Sequence, residues 1–187
     1  MRWRGGAGAA LAAVLCLSAA TAEATLIEAL SLGDLVSQSD TVVLVSCVGE
    51  RALRDASDRI VTDYDLTVED TLRGTATPGE VLTMRALSGE IGDLAMRIEG
   101  EPRLIPGRRY MLFLRSVDGV RRPVGMSQGV LPVTDDRGAL LAHPGGGGLS
   151  LVHDNGGRLV PAPAALLHPE PLEQLRERVL EIVRRTP

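Results

Sequence analysis

Alternating apolar and polar residues in RIVTDYDLTVEDTLRG, residues 59–74, restrict the fold more than any other feature of the sequence. Ile60, Tyr64 and Val68 fall on one side of this alternation and acidic residues fall on the other, a period of two that is typical of a strand with one face in water. The stretch before it, TVVLVSCVGERA, is a β-branched run of strand length. Because the intervening RDASDR is polar and rich in turn-forming residues, we predict an antiparallel hairpin.

Further stretches of strand length follow between turn signals: GEVLTMRAL, RYMLFLR, VRRPVGMSQGVLPVT and ALLAH. RYMLFLR at 109–115 is the most apolar, and we predict that it is a central strand. Asp118-Gly119 is a hairpin signal, and 135–138 marks another turn. Residues 88–107 are rich in glycine and proline and predict a long connection with one irregular strand from Leu94 to Ile98. Short strands with little helix between them predict a small antiparallel barrel or sandwich.

Apolar residues recur at helical spacing near both ends of the chain. TLIEALSLGDLVSQSD predicts a short helix over about 28–38, in which Ser31 caps a second piece. Residues 170–185 predict an amphipathic helix with Arg184 and Arg185 in its last turn, which suits the helix dipole. We expect its apolar stripe to pack on the sheet, and the alternative is a helix that binds a partner. The stripe consists of Leu172, Leu175, Val179, Ile182 and Val183.

The first 24 residues have the three parts of a secretory signal peptide. Two arginines precede an apolar run at 9–17, which is too short for a permanent anchor, and small residues follow. We predict cleavage after Ala22 or Ala24 and a secreted or periplasmic protein without a stable membrane anchor.

The rest of the sequence divides into three parts. We predict a β-barrel domain at 25–142, a linker rich in glycine and proline at 143–169, and the helix at 170–185. The linker contains LSLVHDNGGRLVP, which predicts a small hairpin that turns at Asn155-Gly156.

Charge and aromatic content exclude two classes of partner. The net charge is −4, and the predicted signal peptide removes two arginines, so the mature surface does not attract nucleic acid phosphates or anionic membranes. Only Tyr64, Tyr110 and Phe113 remain as aromatic residues. Because stacking on single-stranded nucleic acids or sugar rings needs exposed aromatics on one face, we predict neither kind of ligand.

Cys47 is the only cysteine left once the signal peptide is removed, so no internal disulfide can form. Its position in the apolar run TVVLVSCVGE predicts a small buried side chain. A thiol that pairs between two chains, or one with a redox role, is the alternative.

The segment GMSQG fits the G-x-S-x-G pattern of the nucleophile elbow in α/β-hydrolases, which makes Ser127 the candidate nucleophile of a small serine hydrolase. Asp135 or Asp154, together with a histidine, would complete a triad in the hydrolase order. An elbow needs a helix directly after the serine, whereas QGVLPV is strand-like and contains a proline. We therefore predict that Ser127 lies on an extended strand, that Gly125 and Gly129 mark bends or close backbone approaches, and that the protein is not an enzyme.

Other candidate ligand-binding groups lie near the C-terminus. His143, His153 and His168 lack the spacing of a zinc site, and we expect them in solvated loops. The glycines at 145–148 have no lysine and no helix after them, so they predict a flexible linker instead of a phosphate-binding loop.

An acidic stripe is the remaining candidate for a metal site. Asp63, Asp65, Glu69 and Asp70 could attract calcium, but they already have an explanation as the outward face of an alternating strand. We therefore predict no metal, no cofactor and no catalytic residue.

Between residues 31 and 134 the chain resembles a widespread group of uncharacterised secreted bacterial proteins. The segments that carry the resemblance are DTVV at 40–43, VEDTLRG at 68–74, GEPRL at 100–104, PGRRYMLFL at 106–114 and VGMSQGV at 124–130. The resemblance implies an OB-like barrel that is distantly similar to netrin and metalloproteinase-inhibitor modules. Those inhibitors chelate zinc through an N-terminal cysteine, which the predicted mature N-terminus lacks, so the resemblance carries the shape and no activity.

The fold class that we predict is mainly β: a small antiparallel OB-like barrel or sandwich with a short N-terminal helix and a C-terminal amphipathic helix. The function that we predict is a secreted, non-enzymatic module that binds another extracytoplasmic protein through its loops or its C-terminal helix. A small serine hydrolase using Ser127 and an envelope-associated structural protein are the alternatives.

Overall fold

The chain has a mainly β fold in the computed structural model, which describes residues 26–185. The predicted signal peptide, residues 1–24, lies outside the described residues. The helices are α1 (Leu32–Gln38) and α2 (Leu172–Arg185), and a 3-10 turn covers Met126–Gly129. The strands are β1 (Leu26–Glu28), β2 (Thr41–Arg54), β3 (Ile60–Arg73), β4 (Val81–Ala86), β5 (Gly89–Ile91), β6 (Leu94–Met96), β7 (Arg109–Val117), β8 (Val120–Pro123), β9 (Val130–Asp136), β10 (Ala139–Ala142), β11 (Ser150–Asp154), β12 (Leu159–Pro161) and β13 (Glu170–Pro171).

Five strands close into a barrel. β2, β3 and β4 form an antiparallel meander, and β7 returns beside β2, which gives the spatial order β7-β2-β3-β4. β8 closes the ring because it forms a hairpin with β7 and also pairs with β4, through Arg121 and Met84. The mainly β prediction is confirmed, and of the two predicted architectures the chain adopts the barrel.

The hairpin of β2 and β3 is the longest pairing in the barrel, with 14 residues in each strand, and it is antiparallel as the alternation predicts. Shifts in register interrupt it, the last between Cys47 and Gly49. Such bulges bend and twist a strand, which lets the hairpin curve into a barrel. The prediction of one face in water is wrong at the start of β3, where Val61 and Asp63 are buried, because the guanidinium of Arg85 covers Asp63.

One edge of β7 is shared by two successive strands. Residues 114–117 of β7 pair with β8, and residues 109–112 pair with β9, both antiparallel. β8 turns toward β4 and closes the barrel, whereas β9 continues into an extension formed with β10 and β13. Because β7 is paired on both edges, the prediction that 109–115 is a central strand is confirmed.

Residues 143–169 contain the small hairpin that the sequence predicts, but strand pairing and packing also connect them to the rest of the fold. β11 and β12 form a hairpin around Asn155-Gly156, and β1 joins β11 in parallel, which gives a separate three-stranded sheet. Leu166 is buried in the hydrophobic core. The predicted helix start at residue 28 is also wrong, because Glu28 pairs with Val152 in this sheet.

Hydrophobic residues form two clusters, one on each side of the barrel wall. The inner cluster fills the barrel and contains Cys47, Tyr64 and Tyr110. Cys47 is buried as predicted, and burial raises the pKa of its thiol. The outer cluster lies between the barrel and the two helices and contains Phe113. All three aromatic residues of the described chain are therefore buried and cannot serve as a stacking surface.

Helix α1 starts at a capping box. The side chain of Ser31 accepts a hydrogen bond from the backbone N–H of Asp34, and the carboxylate of Asp34 accepts one from the backbone N–H of Ser31. The hydroxyl of Ser31 also donates to the Asp34 carboxylate, and this bond, together with the one from the Ser31 backbone N–H, lowers the pKa of Asp34. Two backbone donors at the helix start are thereby satisfied, which places the helix start after Ser31.

Helix α2 packs against the barrel, as the apolar stripe predicts. Leu172, Leu175 and Val179 are buried in the outer cluster. Arg176 donates a hydrogen bond to Asp70 of β3 at 2.8 Å, which adds a polar contact between the helix and the barrel. Neither helix in the described residues is long and apolar enough to cross a membrane.

Replacement of Leu175 by alanine tests how much the packing of α2 contributes to stability. Leu175 has no exposed surface, and truncation of such a side chain leaves a cavity, so Leu175→Ala should lower the free energy of unfolding by about 2–5 kcal/mol in urea denaturation. Glu177→Ala, exposed on the same helix, is the control and should change it by less than about 0.5 kcal/mol. Equal effects of the two changes would contradict docking through the apolar stripe.

Candidate functional site

The segment that resembles a nucleophile elbow forms a loop inserted along the edge of β7. Pairing with β7 holds up to Val124 and resumes at Val130. Between these residues Gly125 and Met126 have positive φ angles, 63° and 59°, and lead into the 3-10 turn. The prediction that Ser127 lies on an extended strand is therefore wrong, because the residues between the two pairings bulge out of the ladder.

The two glycines of the pattern are explained by this loop. Gly125 has the left-handed backbone conformation that glycine adopts without strain. A Cβ on Gly129 would lie 2.4 Å from the backbone oxygen of Val124 and 3.0 Å from that of Phe113. The bends and close backbone approaches predicted at these two glycines are thus confirmed, and they give the G-x-S-x-G pattern a structural cause.

Ser127 lacks the surroundings of a nucleophile. The residue is only 9% exposed, and its Oγ makes no hydrogen bond with any residue of the described chain. Its backbone N–H donates to Gly100 O at 2.9 Å, and its carbonyl accepts from Gly146 N at 2.8 Å. An activated serine needs a base within hydrogen-bonding reach. No histidine among residues 26–185 makes that contact with Ser127.

Gln128 has a structural role that the sequence analysis missed. Its buried side chain accepts a hydrogen bond from Leu30 N at 2.9 Å and donates one to Glu28 O at 3.1 Å. One amide thereby attaches the segment between β1 and α1 to the loop. No local pattern signals this contact, since the bonded residues lie about a hundred positions apart.

Gly145 and Gly146, the first two of the glycines at 145–148, pack on the same loop. The prediction of a flexible linker is therefore wrong for these two residues. A Cβ on Gly145 would lie 2.5 Å from Gln128 O and 2.6 Å from Ser127 O. Gly146 is buried and bonded to Ser127. Close packing of backbone on backbone explains why glycine is found here.

The three histidines lie apart in the fold. His143 shares a hydrogen bond of 2.7 Å with Thr134. His153 is exposed on strand β11, which corrects its prediction as a loop residue, and His168 is exposed after the proline-rich segment. Within residues 26–185, no group of three or more histidine, cysteine or acidic side chains is arranged to hold a metal ion.

The acidic residues of β3 are held by partners on neighbouring elements and do not form the open face that the sequence predicts. Their partners are Arg85 for Asp63, Thr83 for Asp65, Arg109 and Ser46 for Glu69, and Arg176 for Asp70. Partial burial opposes the charge of Glu69, but the bonds from Arg109 and Ser46 outweigh it and lower the pKa of this carboxyl. These acids therefore join elements of the barrel.

A polar cavity of about 720 Å³, here called the mouth cavity, opens at one end of the barrel. Glu50 and Ala52 of β2 are paired with Tyr64 and Thr62 of β3, and paired residues share a face of the sheet. Because Tyr64 belongs to the inner cluster, all four side chains face the barrel interior. The other lining residues come from 88–90, 96–103 and Gly147.

Four carboxylates and two guanidinium groups line the mouth cavity: Glu50, Glu90, Glu99, Glu101, Arg97 and Arg103. Arg97 forms an ion pair with Glu90 at 3.1 Å. The other three carboxylates form no ion pair within the described chain, whereas only Arg103 remains unpaired among the cations. The cavity thus has an excess of negative charge.

Glu101 is the cavity carboxylate most shielded from water, and the sequence analysis missed it. It is half-buried, and its Oε2 accepts a hydrogen bond from Leu87 N at 2.7 Å. Burial raises the pKa of Glu101, while the bond from Leu87 and the charge of Arg122 act in the opposite direction. The signal in the sequence is that Glu101 lies in GEPRL, one of the segments that carry the resemblance to secreted proteins.

A second cavity, of about 690 Å³, lies on the outer side of the barrel between the start of α1, the end of α2 and residues 160–165. Its lining is mostly apolar and includes His153, Arg178 and Glu181. Arg178 is already bonded to Glu170 at 2.8 Å. The polar groups at this cavity therefore offer fewer free contacts than those of the mouth cavity.

Comparison with known proteins gives no assignment for either cavity. No protein-family model matches the chain, and no curated protein matches it either.

Replacement of Gly129 by alanine tests whether the loop needs this glycine. The added Cβ would meet backbone atoms that cannot rotate away, so Gly129→Ala should lower the free energy of unfolding by about 1–3 kcal/mol in urea denaturation. A Cβ on Gly147 would meet nothing within 4 Å, and Gly147→Ala should leave the stability nearly unchanged or slightly raised. If both variants are as stable as the native chain, the close approach at Gly129 is disproved.

Replacement of Ser127 by alanine tests the hydrolase alternative. Because the Ser127 hydroxyl is buried without a hydrogen bond, Ser127→Ala should keep or raise the free energy of unfolding, by up to about 1 kcal/mol. A serine-reactive fluorophosphonate should label neither the native chain nor the variant. Labelling that the native chain shows and Ser127→Ala loses would establish Ser127 as a nucleophile and contradict its interpretation as part of a structural loop.

Proposed function

We propose that this chain is a secreted, non-catalytic module with an OB-like barrel, which binds another extracytoplasmic protein at the mouth cavity. The observation that carries the proposal is the cavity itself, a polar opening of about 720 Å³ at the end of a barrel whose interior is otherwise filled by apolar side chains. Barrel mouths are a common place for ligand sites, and this volume falls within the usual range of about 300–1,000 Å³.

The strand order supports the OB-like part of the proposal. The order β7-β2-β3-β4 is that of a Greek key, in which a fourth strand returns beside the first by a long connection. β8 completes a ring of five strands, and it touches β4 through a single residue pair. A five-stranded, partly open Greek-key barrel is the description of an OB-fold.

The packing of the helices favours the mouth cavity over α2 as the binding surface. Leu172, Leu175 and Val179 of the apolar stripe are buried against the barrel, which supports the mouth cavity over this stripe as the binding surface. The mouth cavity opens among the connections between strands, which is the other surface expected from the sequence. Carboxylates that form no ion pair within residues 26–185 give it polar groups that can fix the orientation of a ligand.

The non-catalytic part of the proposal is supported by the position of Ser127. Its hydroxyl is buried in a loop and has no base beside it in the described chain. The secreted location is supported by the pattern of residues 1–24, which has the parts of a signal peptide.

Filling the mouth cavity should abolish binding. Ala52 faces the cavity, so Ala52→Trp should occupy it, whereas Ala56→Trp adds the same side chain to the exposed β2–β3 turn outside the cavity. Each protein is immobilised and exposed to the secreted or periplasmic fraction of its own cells. We expect one protein to be retained by the native chain and by Ala56→Trp. The amount retained by Ala52→Trp, measured by quantitative mass spectrometry, should be lower by roughly tenfold or more.

Two results would contradict the proposal. Retention of the same protein by Ala52→Trp would place binding elsewhere, provided that circular dichroism shows the variant folded. Recovery of no protein by the native chain, under several salt and pH conditions, would contradict a function in protein binding.

A further inference from the structure

We propose that the mouth cavity accepts an aliphatic cation, supplied as an arginine or lysine side chain of the bound protein. This inference rests on the proposed binding function and specifies the chemistry that the site recognises. It is carried by the shape of the cavity, the mixture of apolar and acidic groups on its walls, and the absence, within residues 26–185, of ion-pair partners for three of its four carboxylates.

The walls combine two kinds of group that suit a long basic side chain. Ala52, Met96 and Ile98 offer apolar surface, and Glu50, Glu99 and Glu101 offer carboxylates. Arginine and lysine have the matching composition, because an aliphatic stem carries a charged head. The stem can pack on the apolar groups while the head reaches a carboxylate.

The charge balance of the cavity favours a cation over an anion. Arg97 is paired with Glu90 at 3.1 Å, so its charge offsets one of the four carboxylates. Arg103 is exposed and faces a surplus of unpaired carboxylates. An anion would have to approach those carboxylates, whereas a cation would neutralise them.

Glu101 is the group that gains most from a bound cation. Its Oε2 is held by Leu87 N, and its Oε1 makes no hydrogen bond within residues 26–185. The carboxylate is half-buried, so its charge is poorly compensated by water. A guanidinium or ammonium group at Oε1 would form a charge-assisted hydrogen bond in a position shielded from solvent, where such bonds are strongest.

The carboxylates of β3 show the same chemistry already satisfied. Asp63 accepts two hydrogen bonds from Arg85, and Glu69 and Asp70 are bonded to Arg109 and Arg176. This chain therefore repeatedly uses arginine to neutralise partly buried acids. At the mouth cavity the charge of Arg122 acts on Glu101, but Glu101 forms no ion pair within residues 26–185, and the place of a directly bonded cation is assigned to the partner.

The test is a titration with N-acetyl-L-arginine methylamide, followed by the amide NMR signals of Ala52, Gly89 and Gly100. We expect saturable shifts of these signals by the blocked arginine. The citrulline analogue has the same shape without the charge. Its affinity should be lower by about tenfold or more, since loss of one charged hydrogen-bond partner costs at least that factor. Equal binding of the two compounds would overturn the proposal.

Two variants distinguish a specific effect of Glu101 on binding from a general effect of the protein's charge. Glu101→Gln keeps an acceptor for Leu87 N and should weaken binding of the blocked arginine by about tenfold. Glu177→Gln removes the same charge from the exposed face of α2 and should leave binding unchanged. No difference between Glu101→Gln and the native chain would overturn the assignment, as would tighter binding of putrescine than of the blocked arginine, which would indicate a free diamine instead of a side chain.

Failure of this inference can be told apart from failure of the proposed function. A partner protein that Ala52→Trp loses and Glu101→Gln retains would leave the binding function standing and remove the preference for a cation. Loss of the partner with both variants, and not with Glu177→Gln, is the result that we expect.

Discussion

The barrel depends on the way in which two strands share one edge of β7. A single antiparallel partner could have followed β7 along its whole length of nine residues. Instead, residues 125–129 are inserted between the pairings of Val124 and Val130. This separates β8, which reaches β4 through Arg121, from β9, which stays in the extended sheet. Closure of the ring therefore rests on a loop of five residues in the middle of an otherwise regular edge.

The inserted loop also fixes distant parts of the chain. Gln128 binds the backbone of residues 28–30, and Ser127 binds the backbone of Gly100 and Gly146. Buried polar groups are costly when left without partners, so these bonds define how the N-terminal segment and the lining of the mouth cavity sit on the barrel. A pattern that matches a catalytic elbow thus has a structural role here, because in both settings the glycines solve the problem of turning a backbone sharply in a crowded place.

The sequence predicts the parts of this fold that local patterns determine. A β-branched run indicates β2, period-two alternation indicates β3, and Asp118-Gly119 indicates the hairpin of β7 and β8, because these signals involve neighbouring residues. The loop at 125–129 could not be predicted, since apolar residues on both sides suit a continuous strand and the loop is bonded to residues distant in sequence, Glu28, Leu30 and Gly100. The hairpin within 143–169 is likewise predicted from a local signal, whereas the pairing of β11 with β1, more than a hundred residues earlier, has no such signal. Glu101 is also invisible as a site residue, because its surroundings exist only after β2 and β3 extend beyond the core.

The folding of the chain does not explain the acidic composition of the mouth cavity. The acids of β3 cost little because arginines from β4, β7 and α2 neutralise them, whereas Glu101 is shielded from water without an ion-pair partner in the described chain. The charge of a half-buried carboxylate loses hydration, and at Glu101 this loss is offset only by the bond from Leu87 N and by the charge of Arg122, which forms no ion pair with it. Natural sequences keep such local costs chiefly at functional sites, where a ligand supplies the missing interaction. The same chain that pairs its other partly buried acids with arginine therefore leaves one opening unneutralised, and this contrast is the reason for assigning the proposed binding function to it.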